Sequence, residues 1–388
     1  MSNDNVKNLI GQVFNEIADA MESGSFGNRV KVGLTTLGSE LGVEELVKAA
    51  EMASRKYSDF EVVLIGPKAD TKLTVYEVDC EADAQKKMEE LLDSKEIQGC
   101  VTLHYNFPIG VSTVGRVVTP AKGKEMILAT TTGTSSTHRV EGMVKNAIYG
   151  IITAKACGIE NPTVGILNVD GARQVERVLK DLVSKGYDIN FTESVRADGG
   201  AIMRGNDLLT GTPDVMITDS LTGNILMKMF SSYNTGGSYE ASGYGYGPGV
   251  GEGYGRLINI ISRASGAPVI SEALRYCATC AQNNIIEISN NEFAKLDKAG
   301  FKDVLSKLTQ ASDKKEASSE EVVAPPKKVV THDIAGIDIL ELEDAVQELW
   351  KKGVYAEGGM GCTGPIVLIS DDEADSAKEI LAAAGFIS

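Results

Sequence analysis

The sequence predicts an α/β protein: a mostly parallel sheet with flanking helices, followed by a small C-terminal α/β module. Two observations carry the prediction. From about residue 30 to 285, short β-branched runs alternate with segments of helical periodicity, the pattern of strands joined by crossover helices. The chain has 388 residues, 43% hydrophobic and 24% charged, which is too long for one core and apolar enough for more than one.

Residues 5–22 place Val6, Leu9, Ile10, Val13, Phe14, Ile17 and Met21 at helical spacing, an amphipathic stripe ended by a Gly-Ser stretch. Strands are expected at 30–35, 60–65, 97–104, 125–130, 163–168, near 188–193 and at 214–218. Helical patterns at 39–56, 81–94, 138–157 and 171–185 lie between them, and others cover 222–232, 252–264 and 270–283. Lys, Glu, Ser and Pro dominate 311–330, including Pro325 and Pro326, as in a solvated linker. Beyond it come a helix at 341–352, a glycine loop, a strand at 366–370 and a helix at 373–384 closed by Gly385. The chain therefore divides into an N-terminal helix (1–28), a main domain (29–310), a linker (311–330) and a C-terminal module (331–388).

Charge excludes some functions. With 38 basic and 54 acidic residues the net charge is −16, so the cationic surface that nucleic acid requires is in deficit. No apolar run approaches about 20 residues, so no membrane span is expected. The first residues lack a secretory pattern, and six cysteines are too few for a disulfide framework; reduced thiols in the cytoplasm are the expectation. Glycine is in excess, 41 residues, and clustered.

The central motif is Asp219, Thr222, Gly223 and Asn224, which follow the strand at 214–218 and open a helix carrying Lys228. Free N–H groups at a helix N-terminus, a small hydroxyl, an amide and an ammonium one turn on can cradle an anion. An ordinary N-cap followed by a surface lysine fits the same residue types. Nine glycines and four tyrosines follow between Gly236 and Gly255, and Tyr244, Tyr246 and Tyr254 there suggest a mobile lid or acyl pocket. The loop ends beside Arg256, a candidate bidentate phosphate ligand.

Cys362 sits in a glycine-rich turn before the strand at 366–370, where backbone N–H groups could stabilise an oxyanion beside a thiol. Cys100 and His104 share a strand face but stand about 13 Å apart, too far to hydrogen-bond. Cys277 and Cys280 form a CxxC inside a helical pattern and read as buried small residues. The Thr/Ser run at 130–137 could offer hydroxyls to a phosphate or an acyl carbonyl, with His138 beside it, but lacks the lysine of a Walker loop.

Residues 158–168 (GIENPTVGILN) and 218–228 (TDSLTGNILMK) resemble, in order and separation, signatures of bacterial phosphate acyltransferases, which make acyl phosphate from an acyl thioester and phosphate. The resemblance implies an isocitrate-dehydrogenase-like sheet and places Asp219 and Asn224 on active-site positions, with Lys228 on their shared helix. A lysine of those enzymes is unmatched here; Arg173 is the substitute, with Arg177 as the alternative. The whole chain, tail included, resembles the alpha subunits of component C of the glycine, sarcosine and betaine reductase complexes. That resemblance implies phosphorolysis of an enzyme-bound acetyl thioester, held on Cys362 or on a partner cysteine, to acetyl phosphate. Thr222, Gly223 and Asn224 would seat phosphate, Lys228, Arg256 and Arg173 would neutralise it, and Asp219 would orient Lys228 or the attacking oxygen. Neither metal nor organic cofactor is expected, phosphate being the co-substrate. A component C beta subunit and the complex's selenoprotein are the implied partners in a hetero-oligomer. Alternatives are a free-standing phosphate acyltransferase or phosphotransacetylase, and a non-catalytic scaffold docked through helix 5–22.

Overall fold

The computed structural model describes residues 29–196, 200–308, 322–361 and 364–387, together with the isolated positions 11, 13, 14 and 17. Apart from those four positions the expected helix at 5–22 lies outside the described residues, as do most of the linker and Cys362.

The chain begins with β1 (Val30–Thr35), α1 (Val43–Lys56), β2 (Phe60–Gly66), β3 (Thr74–Glu77), α2 (Glu81–Asp93) and β4 (Gly99–Thr102). β2 is a nearly continuous apolar run because both of its faces are covered, as parallel strands require. α1 turns Leu46, Ala49, Ala50 and Ala53 inward, and these small side chains let it lie close to the sheet. Next come β5 (Val111–Val118), β6 (Glu125–Thr134), α3 (Arg139–Ala156), β7 (Thr163–Leu167), α4 (Ala172–Ser184), β8 (Asn190–Phe191), β9 (Ile202–Met203), α5 (Gly205–Thr210), β10 (Val215–Ile217) and α6 (Ser220–Ser232). α3 is buried almost all round, which explains its apolar composition on every side. β11 (Gly247–Val250), β12 (Ile258–Ile260), α7 (Ala267–Gln282) and α8 (Ile285–Lys298) complete the main sheet and its cover.

The strand order is β3-β2-β1-β4-β12-β11-β5-β6-β10-β7-β8, with β9 beside β7. Both flanks are parallel, but β11 is antiparallel to β12 and to β5, and β5 is antiparallel to β6. Three reversals in a row mean that the two parallel halves run in opposite senses on either side of a central antiparallel seam. One hydrophobic core covers each face of the sheet.

Residues 332–387 have their own core around Leu349, Val367, Ile369 and Leu381. β13 (His332–Ala335), β15 (Gly364–Ile369) and β14 (Ala356–Gly361) form an antiparallel sheet in that order, packed with α9 (Leu342–Lys351) and α10 (Ala374–Ala383). Gly385, at φ 83°, closes α10.

Several expectations are corrected. The helix expected at 252–264 is an irregular stretch followed by β12, since Leu257–Ile261 is a short buried run, and periodicity cannot separate a strand from a helix at that length. The expected glycine lid is instead partly a central strand: β11 is fully buried between β12 and β5. Gly247 shows why glycine is required, with φ 81° and the Val114 carbonyl oxygen 1.8 Å from where a Cβ would stand. The expected glycine loop before residue 366 is strand β14 of a hairpin. β5 and α8 add to the elements anticipated from periodicity. Among the described residues no helix is long and apolar enough to cross a membrane.

Candidate functional site

α6 starts three residues beyond the end of β10, and Asp219 is its N-cap. The Asp219 carboxylate accepts from the Thr222 N–H (3.0 Å) and the Thr222 hydroxyl (2.7 Å), and Arg139 donates to it at 2.9 Å. Burial would raise its pKa, but the Thr222 hydrogen bonds and the Arg139 charge outweigh burial and hold it below the usual carboxylate value. The Gly223 N–H donates to the Asp219 carbonyl at 2.9 Å. The expected cradle at this helix end is thus occupied by the chain's own aspartate, and neither Thr222 nor Gly223 lines the neighbouring pocket.

The pocket opens one turn further along. It encloses about 480 Å³ at the central seam, between the segment after β4, the end of β6, α6 and the turn after β12. Asn224 and Lys228, four residues apart and therefore on one helix face, both line it. Asn224 is held by donating to the Thr131 carbonyl at 3.0 Å. Gly223 lets the helix approach this closely: a Cβ there would stand 1.8 Å from the Thr130 carbonyl oxygen. Thr132 and Thr134, from the hydroxyl run after Thr130, also line it.

Sequence reasoning missed two further polar groups, His104 and Arg263, which line the same pocket. His104 stands apart from Cys100, whose thiol is buried and pushed up in pKa by that burial. Arg263 lies three residues beyond β12, and its guanidinium reaches Glu81 only at 3.7 Å, both groups being half exposed. The cue available in the sequence was the polar Ser262-Arg263 pair ending an apolar run, but it becomes legible only once that run is known to be a strand.

Lys228 is held from behind. Its ammonium lies 3.4 Å from the Ser262 hydroxyl, 3.5 Å from the Glu240 carboxylate and 5.7 Å from the Tyr246 ring centre. Tyr246 lines the pocket and its hydroxyl donates to Glu240 at 3.1 Å. Burial and then the Glu240 charge raise the Tyr246 pKa, so the phenol stays protonated. The charged groups in the pocket wall are Lys228 and Arg263; among the described residues that line it there is no carboxylate. In a chain of net charge −16 this places two cations in a wall without a lining carboxylate.

Other expected residues stand elsewhere. Arg256 precedes β12 on its amino side, in a two-pronged pair with Asp93 (2.8 and 2.9 Å) and 3.2 Å from Glu89. Tyr254 packs edge-on against Phe107 and lines a separate cavity with Tyr149 and Phe293. Tyr244 bonds to Glu125 beneath the Arg116 guanidinium, which lies 4.5 Å from its ring centre. Arg173 pairs with Glu176 at 3.3 Å, and the anion at the start of α4 is Asp338 of the C-terminal module, which accepts from the Gly171 and Arg173 N–H groups at 3.2 and 3.3 Å. Arg177 binds Glu341 and the Gly385 carbonyl. Of the cations expected at the phosphate, Arg177 instead ties the module to α4, while the Arg173 guanidinium pairs within α4. Among the described residues no cluster of His, Cys, Asp and Glu is arranged to hold a metal ion.

A family model described as "Fatty acid synthesis protein" matches residues 30–368. The chain is 62% identical over 383 residues, 99% of each chain, to the glycine/sarcosine/betaine reductase complex component C subunit alpha of Peptoclostridium acidaminophilum. The chain belongs to that family. More distantly, it is 24% identical over 237 residues to a phosphate acyltransferase of Staphylococcus epidermidis, spanning 51% of this chain and 70% of the relative. It is 25% identical over 238 residues to that of Thermotoga petrophila, spanning 52% and 67%. Among solved structures, a branched-chain phosphotransacylase from Enterococcus faecalis superposes with TM-score 0.47 at 15% identity, covering 65% of this chain and 99% of that one.

Proposed function

We propose that the pocket binds inorganic phosphate and that the chain, as the alpha subunit of component C of a glycine, sarcosine or betaine reductase complex, catalyses phosphorolysis of an enzyme-bound acetyl thioester. The observation that carries this reading is the carboxylate-free wall that brings Asn224 and Lys228, on one helix face, together with Arg263 of the turn after β12, in a chain whose relatives are named as phosphate acyltransferases. A phosphate oxygen attacks the thioester carbonyl carbon, the new C–O bond forms, the C–S bond breaks, and the proton of hydrogenphosphate passes to the departing thiolate. Lys228 and Arg263 neutralise the phosphate, and Asn224 orients it. Fixing a weak nucleophile at the carbonyl supplies much of the rate. The acetyl group rides on Cys362 or on a partner's cysteine, the partners being the beta subunit and the selenoprotein of a cytoplasmic hetero-oligomer. No cofactor enters this step besides phosphate.

The test is phosphate-dependent release of acetyl phosphate from the acetylated complex. Lys228→Ala and Arg263→Ala are each expected to lose about 100-fold or more in kcat/KM for phosphate; full activity in the double variant overturns the assignment. Peptide mapping of the trapped acetyl thioester decides between Cys362 and a partner cysteine.

A further inference from the structure

Glu240 is an acidic residue buried in the middle of the glycine and tyrosine segment, with its side chain 4% exposed, while the Lys228 side chain 3.5 Å away is 56% exposed. Burying a carboxylate is costly unless charge and hydrogen bonds compensate it. Here the Tyr246 hydroxyl donates to one oxygen at 3.1 Å and the Ser265 hydroxyl to the other at 3.3 Å. The Glu240 backbone is also tied to the turn after β12: its N–H donates to the Ala264 carbonyl, and its carbonyl accepts from the Gly266 N–H, both at 2.9 Å. That turn carries Ser262 and Arg263, which line the pocket.

We propose that Glu240 is a positioning residue that fixes the Lys228 ammonium against the pocket wall. This role rests on the reading of Lys228 as a phosphate ligand. A lysine in a half-open pocket is a point charge on a flexible four-carbon stem, and holding it in one place costs side-chain entropy. A buried carboxylate behind it confines the ammonium before substrate arrives, while leaving the front of the pocket free of negative charge. Because Glu240 is bonded to the turn that bears Arg263, it also keeps the two cations at a set separation. Preorganised charge acts on the transition state more than on initial binding, so the effect belongs in kcat.

The test is a double-mutant cycle in the acetylated complex, with activity expressed per folded molecule. Glu240→Gln keeps the shape and a hydrogen-bond acceptor for Tyr246 but removes the charge. The expected result is a loss of about 10-fold or more in kcat with the phosphate KM changed less than about 3-fold. Added to Lys228→Ala, the same substitution is expected to cost less than about 2-fold more, because there is no ammonium left to position. Glu240→Asp, which keeps the charge, is expected to recover most of the lost kcat, and decides the question if the glutamine variant does not fold. Equal losses in both backgrounds, or E240Q activity within about 2-fold of the parent, overturn the role. Undiminished activity in Lys228→Ala overturns the phosphate-site reading and this role together, whereas loss there with independent loss in E240Q overturns this role alone.

Discussion

Replacing Gly223 with alanine tests whether the approach of α6 to β6 builds the pocket. The added Cβ would stand 1.8 Å from the Thr130 carbonyl oxygen and 3.1 Å from the Thr218 methyl, and contacts under 3.0 Å are essentially never seen, so helix and strand must part by about 1.2 Å. The obstructing atom is backbone in a strand paired on both sides, so no side-chain rotation relieves it. Overpacking of this kind costs about 1–3 kcal/mol. Alanine returns about 1 kcal/mol of helix propensity, leaving a net loss of up to about 2 kcal/mol. Activity is expected to suffer more. Asn224 and Lys228 ride on the displaced turn, and a misplacement of about 1 Å costs about 100-fold in rate. Urea unfolding gives the first quantity, and acetyl phosphate release per folded molecule gives the second. A variant with unchanged midpoint and full activity refutes the argument. So does an activity loss no larger than its unfolded fraction explains.

Other predictions follow from the same geometry. Arg256→Ala should leave the phosphate KM within about 2-fold of the parent, since Arg256 is bound to Asp93 and Glu89 away from the pocket; a 10-fold rise would place it back among the ligands. Asp219 has a folded-state pKa below its unfolded value, so the unfolded chain takes up its proton first as pH falls. Its contribution is therefore complete above about pH 5 and is lost as pH drops through the folded value. Urea midpoints from pH 6 to 3 should fall less steeply for Asp219→Asn than for the parent. Asp338→Ala should loosen the C-terminal module at the start of α4 at a cost of about 1 kcal/mol, read as faster hydrogen exchange at the Gly171 and Arg173 amides that now donate to it.

Composition and periodicity were enough for the fold class, the positions of most strands and helices of the parallel flanks, and the helix that carries Asn224 and Lys228. These features are local: a strand buried on both faces is apolar throughout, and an amphipathic helix repeats at its own pitch. The likeness to phosphate acyltransferases was legible for the same reason, in two contiguous motifs. Which residues share a pocket depends instead on contacts between residues far apart in the chain, and there sequence reasoning went astray. The Asp219 to Asn224 stretch looks like an open anion cradle until the structure shows the aspartate filling it. Arg256 and Arg263 are seven residues apart and flank one three-residue strand, so strand direction alone decides which of them reaches the pocket. Tyr244, Tyr246 and Tyr254 look equivalent in a glycine-rich segment, yet only Tyr246 lines the pocket, because β11 passes through the sheet between it and Tyr254. Glu240 has no periodic signature at all. A buried charge is defined by what surrounds it, and its surroundings, Lys228, Tyr246 and Ser265, assemble only when the chain reversals at the central seam bring α6 and the turn after β12 together.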